Sequence, residues 1–207
     1  QAMLMSVGVE PSKQVFIHGY VTADGQKMSK SIGNVINPYD LVAEYGTDAT
    51  RLYLLGVMPS WQDGDYSKEQ FEIMFQSKLA NGIGNLVSRV AAMAAKNFPE
   101  GLDRVTTTHT EDDLKSALEK YDFREYVDCV WRVIDEANEK IDKEAPFKLV
   151  KVDRDAAKKS LSELAAMIRW IGNALAPVMP QTAEEIARRY AGDVIVVGDG
   201  LFPRRDQ

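Results

Sequence analysis

From residue 67 onward, apolar side chains recur every three or four positions, which is the period of an α-helix with one buried face. The first such stretch runs to about Phe98 and has as its apolar members Phe71, Met74, Phe75, Leu79, Ile83, Leu86, Val87, Val90 and Met93. Ser67 with Gln70 forms a capping box at its start. Gly82 and Gly84 should weaken this helix locally and let a neighbouring helix pack closely. The pattern predicts one long helix after Ser67.

The same period predicts further helices later in the chain. They cover residues 111–121, 123–144, 155–175 and 182–190, and the last of them has Thr182 as its expected N-cap. Prolines and a polar loop separate these segments, so successive helices should fold back on one another. We therefore predict a mainly α fold in which residues 67–192 form an antiparallel helix bundle and residues 193–207 form an extended surface tail.

The first 66 residues show a different pattern. Residues 15–22 are β-branched and aromatic and predict a strand, and the Asp24-Gly25 pair after them predicts a tight turn. Residues 39–55 predict two short helices that meet at Gly46, with Thr47 capping the second. Residues 58–66 are expected to be a loop, in which two acidic residues make turns or caps rather than a metal site. Residues 1–66 therefore form a small α/β part.

Composition limits the possible classes of protein. The chain has 207 residues and a net charge of −6, so nucleic acid can be bound only through a local patch and not by the surface as a whole. No apolar run approaches the roughly 20 residues that cross a membrane. The single cysteine, Cys129, cannot form an internal disulfide, which favours a reducing, cytoplasmic location. The chain begins with Gln1 and is interpreted as a piece of a longer protein.

The segment Lys27-Met28-Ser29-Lys30-Ser31 carries the strongest chemical signal. Two lysines three positions apart on a polar loop can both reach one polyphosphate, and the two serines add hydroxyl donors. Gly33 follows and allows a sharp turn. The spacing is not that of a P-loop, which needs Gly-x-x-x-x-Gly-Lys. Taken alone, the segment could also be a solvated hinge without a ligand.

Several motifs together resemble a known family. The first group is typical of the end of the catalytic domain of class I aminoacyl-tRNA synthetases and comprises His18-Gly19-Tyr20-Val21, residues 27–31, Gly33-Asn34-Val35 and Asp48-Ala49-Thr50-Arg51. The second group is similar to methionyl-tRNA synthetases and comprises residues 63–67, Leu79-Ala80-Asn81, residues 84–89, Ala145-Pro146-Phe147, residues 175–180 and Leu201-Phe202-Pro203-Arg204. The resemblance covers nearly the whole chain and implies the end of a Rossmann-type catalytic domain followed by an anticodon-binding bundle.

The resemblance implies a role for each residue of the lysine segment. Lys30 would be the main cation for the transition state of methionine activation, and Lys27 would assist on the phosphates of ATP. Ser29 and Ser31 would position the loop, whereas His18 and Gly19 would lie near the adenosine. The intact enzyme would use ATP and Mg²⁺. The family's His-Ile-Gly-His motif, most of its methionine pocket and its zinc-bearing insertion lie upstream of this part, so we expect no metal site and no activation of methionine by this chain alone.

The resemblance also implies three residues that read the anticodon of tRNA(Met). Asn85 and Arg89 are four positions apart and share a helix face, and the family uses these positions on the first anticodon base. A third position after Ala-Pro usually holds tryptophan, but here it holds Phe147, which can stack yet has a smaller ring and no indole N–H. The plainer alternatives are an internal polar group for Asn85, a surface ion pair for Arg89 and a buried core aromatic for Phe147.

Two other functions remain open from the sequence. A class I synthetase for a branched amino acid would share the first part of the chain but should lack the helix motif at residues 84–89 and the closing Leu-Phe-Pro-Arg. A non-catalytic tRNA-binding or assembly module could keep the lysine loop as a relic. No membrane partner is expected in any of these cases. The oligomeric state, the source organism and any further C-terminal tRNA-binding domain are not indicated by the residues.

Overall fold

The computed structural model describes residues 1–203, so Arg204 of the predicted closing motif lies outside the described part. The fold is mostly helical, as predicted. In chain order its elements are α1 (Ala2–Ser6), β1 (Val21–Ala23), β2 (Gln26–Lys27), α2 (Pro38–Tyr45), α3 (Thr47–Leu52) with a π-helical turn (Tyr53–Val57), β3 (Gly64–Tyr66), α4 (Lys68–Met74), a π-helix (Phe75–Gly84), α5 (Asn85–Asn97), α6 (Asp112–Glu119), α7 (Phe123–Glu144), α8 (Pro146–Leu149), α9 (Arg154–Leu175) and α10 (Pro180–Tyr190).

The predicted long helix exists, but its middle third is wound more loosely than an α-helix. Segments α4, π and α5 follow one another without a break, and the Ser67 hydroxyl accepts a hydrogen bond from the Gln70 amide at 3.5 Å. The ten-residue π-helix contains both predicted glycines. A Cβ at Gly84 would lie 2.9 Å from the Leu79 carbonyl and 3.8 Å from the Phe202 ring, and the π-helix also contacts α7. The helix was predicted correctly, and its departure from α-helical winding falls at the predicted glycines.

The sheet differs from the prediction in two places: its first strand is shorter than predicted, and a third strand lies where a loop was predicted. Strand β1 covers residues 21–23, so only the last two residues of the predicted strand 15–22 are in it, and the expected loop 58–66 contains strand β3. Strand β1 pairs antiparallel with β2 and parallel with β3. The Gly64 amide donates to the Tyr20 carbonyl at 2.8 Å, and the Asp63 carboxylate accepts from the Tyr20 amide at 2.8 Å. Each of these contacts joins residues more than forty positions apart in the chain, so no pattern of neighbouring residues predicts them.

Neither predicted threonine cap forms. Thr47 is already helical, and Gly46, with φ +86°, precedes helix α3 in its place. Helix α10 begins two residues before Thr182, at Pro180, whose fixed φ suits the first turn. The backbone amide and hydroxyl of Thr182 both donate to the Asp48 carboxylate, at 2.6 and 2.7 Å. Thr182 therefore joins two distant segments and does not cap its own helix.

Helix α9 lies at the centre of the helical region. It packs against α5, α7, α8 and α10. Cys129 is buried on α7, as expected for a small apolar residue. The buried core forms one cluster with members from Leu41 to Ile195, so it joins the α/β part to the helical region. Over residues 1–203, no helix has the length and apolar character needed to cross a membrane.

The tail after α10 makes contacts with the core that the sequence did not predict. Ile195 is buried, Phe202 packs against the core, and the Val196 amide donates to the Arg189 carbonyl at 3.0 Å. The buried Arg189 guanidinium donates to the carbonyl of Asp199 and to the carboxylate of Glu185. Most of the described tail residues are nevertheless exposed, so the tail runs over the surface and is anchored at these points.

The Glu185 carboxylate should make the stability of this region depend on acid pH. The neighbouring guanidinium groups of Arg188 and Arg189 hold its pKa at about 2, against an ordinary value of 4.5. A lowered pKa contributes stability that is complete above the ordinary value and is lost as pH falls towards 2. We expect Glu185→Gln to lose about 1–2 kcal/mol at pH 7, and this loss should disappear only as the pH falls below 2. Urea unfolding at several pH values checks this, and a gap that stays constant with pH would contradict it.

Candidate functional sites

The lysine segment is displayed by a two-stranded hairpin. Residues Asp24 and Gly25 both have positive φ, +50° and +73°, which is the backbone of the tight turn that an Asp-Gly pair favours. The side chain of Asp65 on β3 accepts from the Gly25 amide at 2.8 Å and from the Thr22 hydroxyl at 2.6 Å. The turn role predicted for this acid is thus confirmed. The hairpin delivers Lys27 to the end of β2, where the loop begins.

Asn34 closes the lysine loop on itself. Its side-chain oxygen accepts from the Ser29 amide at 2.8 Å, and its side-chain nitrogen donates to the Lys27 carbonyl at 3.2 Å. The Gly33 amide donates to the Ser29 carbonyl at 3.0 Å, with Gly33 at φ +77°. The two serine hydroxyls, of Ser29 and Ser31, lie 2.8 Å apart. The loop is therefore a compact closed turn and not an open hinge.

The two lysine side chains of this loop are exposed and unpaired. Lys27 and Lys30 both lie on the surface, and neither has an acidic partner within 4.0 Å in the described part of the chain. Two unpaired ammonium groups three residues apart create a local positive potential on an otherwise acidic protein. Such a site attracts a polyphosphate, since each ammonium supplies charge-assisted hydrogen bonds.

His18 and Gly19 lie just before strand β1. The position that a Cβ would take at Gly19 is occupied by the Gln62 carbonyl, just before β3, so only glycine fits there. His18 is exposed, and its Nδ1 lies 2.7 Å from the Gly19 carbonyl. A largely apolar cleft of about 320 Å³ adjoins both residues and reaches Phe123. The lysine loop follows β2, which pairs antiparallel with β1, so the loop leaves the sheet at the same end at which residues 18 and 19 lead into β1.

Asn85 and Arg89 lie on the first two turns of α5, both half-buried. The Asn85 side chain makes no hydrogen bond to the described residues, so its amide remains available. The Arg89 guanidinium lies 3.5 Å from the carboxylate of Asp142 on α7, and this carboxylate is 75% exposed. The ion pair weighed for Arg89 exists, but an exposed pair of this length is weak and leaves most donors of the guanidinium free. Asp142 carries no sequence signal as the partner of Arg89.

Phe147 lies on the surface and not in the core. Its side chain is 48% exposed, and the Lys148 ammonium lies 5.7 Å from the ring centroid. It is the second residue of α8, a short helix that the sequence did not predict. Ala145 takes a left-handed conformation, φ +45°, which ends α7 and turns the chain into α8. Because Asp142 lies five residues before Phe147, the partner of Arg89 and the exposed ring belong to the same end of α7.

A metal centre does not form in the described residues. They contain no group of three or more histidine, cysteine, aspartate or glutamate side chains placed to hold an ion. Asp63 and Asp65 accept hydrogen bonds from backbone and hydroxyl groups within the sheet. Their oxygens are thus engaged in the fold.

Comparisons with known proteins agree with this arrangement. A family model described as tRNA synthetases class I (M) matches residues 1–91. The methionine–tRNA ligase of Clostridium tetani is 35% identical over 99% of this chain and 37% of its own length. The corresponding ligase of Thermotoga maritima is 36% identical over 99% of this chain and 38% of its own length.

The backbone is also similar to that of solved methionyl-tRNA synthetase structures. A structure of Mycobacterium tuberculosis methionyl-tRNA synthetase in complex with methionyl-adenylate is similar with a TM-score of 0.81 and 27% identity. The similarity covers 98% of this chain and 46% of that chain. The present chain therefore spans from about a third to a half of the length of these relatives.

Proposed function

We propose that this chain, which belongs to the methionyl-tRNA synthetase family of class I aminoacyl-tRNA synthetases, supplies the phosphate loop and the anticodon reader of a methionine–tRNA ligase. The observation that carries the proposal is the closed loop with two exposed, unpaired lysines on a chain similar to methionine–tRNA ligases along 99% of its length. The intact ligase would activate methionine with ATP and transfer it to tRNA(Met) in the cytoplasm. Residues 1–66 would end a Rossmann-type catalytic domain, residues 67–192 would form the anticodon-binding bundle, and residues 193–207 would form the tail.

The lysine loop would act on the pyrophosphate that leaves during activation. The methionine carboxylate attacks the α-phosphorus of ATP, and the bond to the bridging oxygen of pyrophosphate breaks. Negative charge grows on the leaving oxygens, so an ammonium held there stabilises the transition state more than the ground state. Lys30 would supply most of this stabilisation and Lys27 would hold the phosphates, while Ser29 and Ser31 keep the loop in shape.

Mg²⁺ would accompany ATP in the intact ligase and would neutralise phosphate charge there. The described residues contain no cluster of acidic side chains that fits the ion. The role of this chain in activation is therefore assigned to its lysines alone. His18 and Gly19 would contact the adenosine.

Anticodon reading would use the exposed end of α7 and the first turns of α5. An unstacked base can lie on the exposed Phe147 ring, which contributes about 1–3 kcal/mol per base in comparable complexes. The planar Arg89 fork and the free Asn85 amide can bond base edges, since both present donors and the amide also presents an acceptor. Binding of RNA would compete with the weak contact between Arg89 and Asp142.

The isolated chain should not activate methionine. The loop can stabilise the leaving group only when ATP and methionine are bound beside it, and in the family most of that pocket lies upstream. We expect ATP–pyrophosphate exchange by the 207-residue chain to be at background. The matched positive control is the intact Thermotoga maritima ligase at equal concentration. Robust methionine-dependent exchange by the chain alone would contradict the proposal that activation also needs the upstream part of the ligase.

A further inference from the structure

Helix α10 is bonded at its first turn to the segment that follows the lysine loop. The Asp48 carboxylate on α3 accepts from the amide and from the hydroxyl of Thr182, at 2.6 and 2.7 Å. Both side chains are more than nine-tenths buried. Helix α3 packs on α2, which itself follows the lysine loop directly. The position of α10 therefore fixes the position of α3.

The opposite end of α10 is bonded to the turn that carries the proposed anticodon readers. The hydroxyl of Tyr190, a completely buried side chain, donates to the Val87 carbonyl at 2.7 Å. Val87 lies between Asn85 and Arg89 on α5. Tyr190 lies eight positions after Thr182, which is about 12 Å along a helix. One helix thus contacts both functional segments through buried polar bonds.

A second bond pair braces the same joint. The Arg51 guanidinium on α3 donates to the carbonyls of Pro177 and Val178, both at 2.8 Å, in the turn between α9 and α10. These two carbonyls lie just before α10 begins, where no helical amide is available to them. Helix α3 is therefore attached to the start of α10 by four hydrogen bonds from two side chains.

The contact between Asp48 and Thr182 stabilises the fold less than an apolar contact of the same size would. Its second carboxylate oxygen, Oδ1, is buried and has no hydrogen-bond partner among the described residues. An unsatisfied buried oxygen is costly, and an apolar pair of the same size would avoid that cost. The arrangement makes physical sense if the direction of the bond, and not its strength, is what the protein uses.

We propose that α10 is a strut that couples the anticodon-reading turn of α5 to the position of α3, which packs on the helix that follows the lysine loop. Asp48 and Tyr190 are its positioning residues, one at each end. When RNA binds Arg89, the helical turn of α5 that contains Val87 shifts. The hydrogen bond between Tyr190 and the Val87 carbonyl transmits this shift to α10, and the bonds between Thr182 and Asp48 transmit it to α3. This coupling rests on the proposed function, but the strut itself is a property of the free chain.

The chain offers a closely matched pair of variants for testing the strut. Tyr190→Phe removes the strut bond. Tyr126→Phe removes a buried hydroxyl on α7 that donates to the Ala174 carbonyl on α9, also at 2.7 Å, outside the strut. Hydrogen exchange of the α3 amides is measured for both variants and for the unaltered chain. The free chain and its complex with an anticodon stem-loop RNA of tRNA(Met) are compared.

In the free chain, Tyr190→Phe should speed exchange at α3 roughly threefold or more relative to Tyr126→Phe, at similar unfolding midpoints. Equal α3 exchange in the two variants would overturn the strut, whatever the RNA does. If Tyr190→Phe does not fold, Thr182→Val takes its place, because it removes a bond to Asp48 and keeps the side-chain shape.

In the complex, saturating RNA should slow α3 exchange roughly threefold or more in the unaltered chain and in Tyr126→Phe, and much less in Tyr190→Phe. RNA that binds without changing α3 exchange in the unaltered chain would overturn the coupling and leave anticodon binding in place. Failure of the RNA to bind at all would overturn the coupling together with the proposed function, while the measurement on the free chain still decides the strut.

Discussion

Replacing Lys30 by alanine should slow ATP–pyrophosphate exchange roughly a hundredfold or more in a ligase that carries this chain. The expected loss is about 2.7–4 kcal/mol of transition-state stabilisation, the magnitude found when one preorganised donor is removed from a developing anion. Lys30 is exposed and unpaired among the described residues, so its removal leaves no buried partner and should not affect folding. The KM for methionine should change little, because the ammonium acts on the leaving group.

Matched variants separate this effect from a general loss of surface charge. Lys115→Ala removes an exposed ammonium whose contact with Glu111 is 4.0 Å long, and it should leave the exchange rate unchanged. Lys27→Ala should slow the rate less than Lys30→Ala does. A Lys30→Ala enzyme that keeps its rate within about twofold would contradict the role given to the loop.

Replacing Arg89 by alanine should weaken binding of the anticodon stem-loop by about 1–3 kcal/mol, roughly 5- to 150-fold. The guanidinium makes only one long contact in the free protein, 3.5 Å to Asp142, so most of its donors are available to a base edge. Fluorescence anisotropy with a labelled stem-loop at fixed salt measures the change. The loss should be largest for the RNA that carries the methionine anticodon.

Two further variants test whether the effect is specific to this site. Asp142→Asn removes the competing carboxylate and should leave binding unchanged or make it tighter. Arg124→Ala removes an exposed arginine from the other end of α7, about 27 Å from Asp142 along the helix, and should change binding little. Equal losses for Arg124→Ala and Arg89→Ala would show that charge alone holds the RNA.

The helices were predictable because their signals are local. The apolar period from Phe71 to Met93 and the cap at Ser67 depend on neighbours within a few residues. Helix α8 was not predicted, because four residues after Pro146 give no period and its start depends on the left-handed Ala145. The π-helix was missed for a similar reason: its apolar spacing is close to that of an α-helix.

The predictions of the first strand and of the threonine caps were wrong because distant residues determine these structures. Residues 15–20 have strand composition, but a strand needs a partner, and β3 reaches only residues 21–23. The Thr182 hydroxyl resembles a cap in the sequence, yet a carboxylate 134 positions away binds it. No local pattern predicts such a contact.

The candidate sites show the same division. Lys27 to Ser31 was recognisable as a phosphate-binding motif, because two cations and two hydroxyls lie within five residues. The Asn34 closure of that loop, the pairing of Arg89 with Asp142 and the exposure of Phe147 needed the folded chain. The strut from Asp48 to Tyr190 joins residues whose roles become visible only through their buried bonds.

The most direct test of the central claim is the affinity of this 207-residue chain for two anticodon stem-loops that differ only in the first anticodon base. If the chain reads the anticodon through Asn85, Arg89 and Phe147, the methionine anticodon should bind roughly tenfold or more tightly at the same salt concentration. Equal affinity for the two RNAs would contradict the account and would favour a tRNA-binding module that ignores the anticodon.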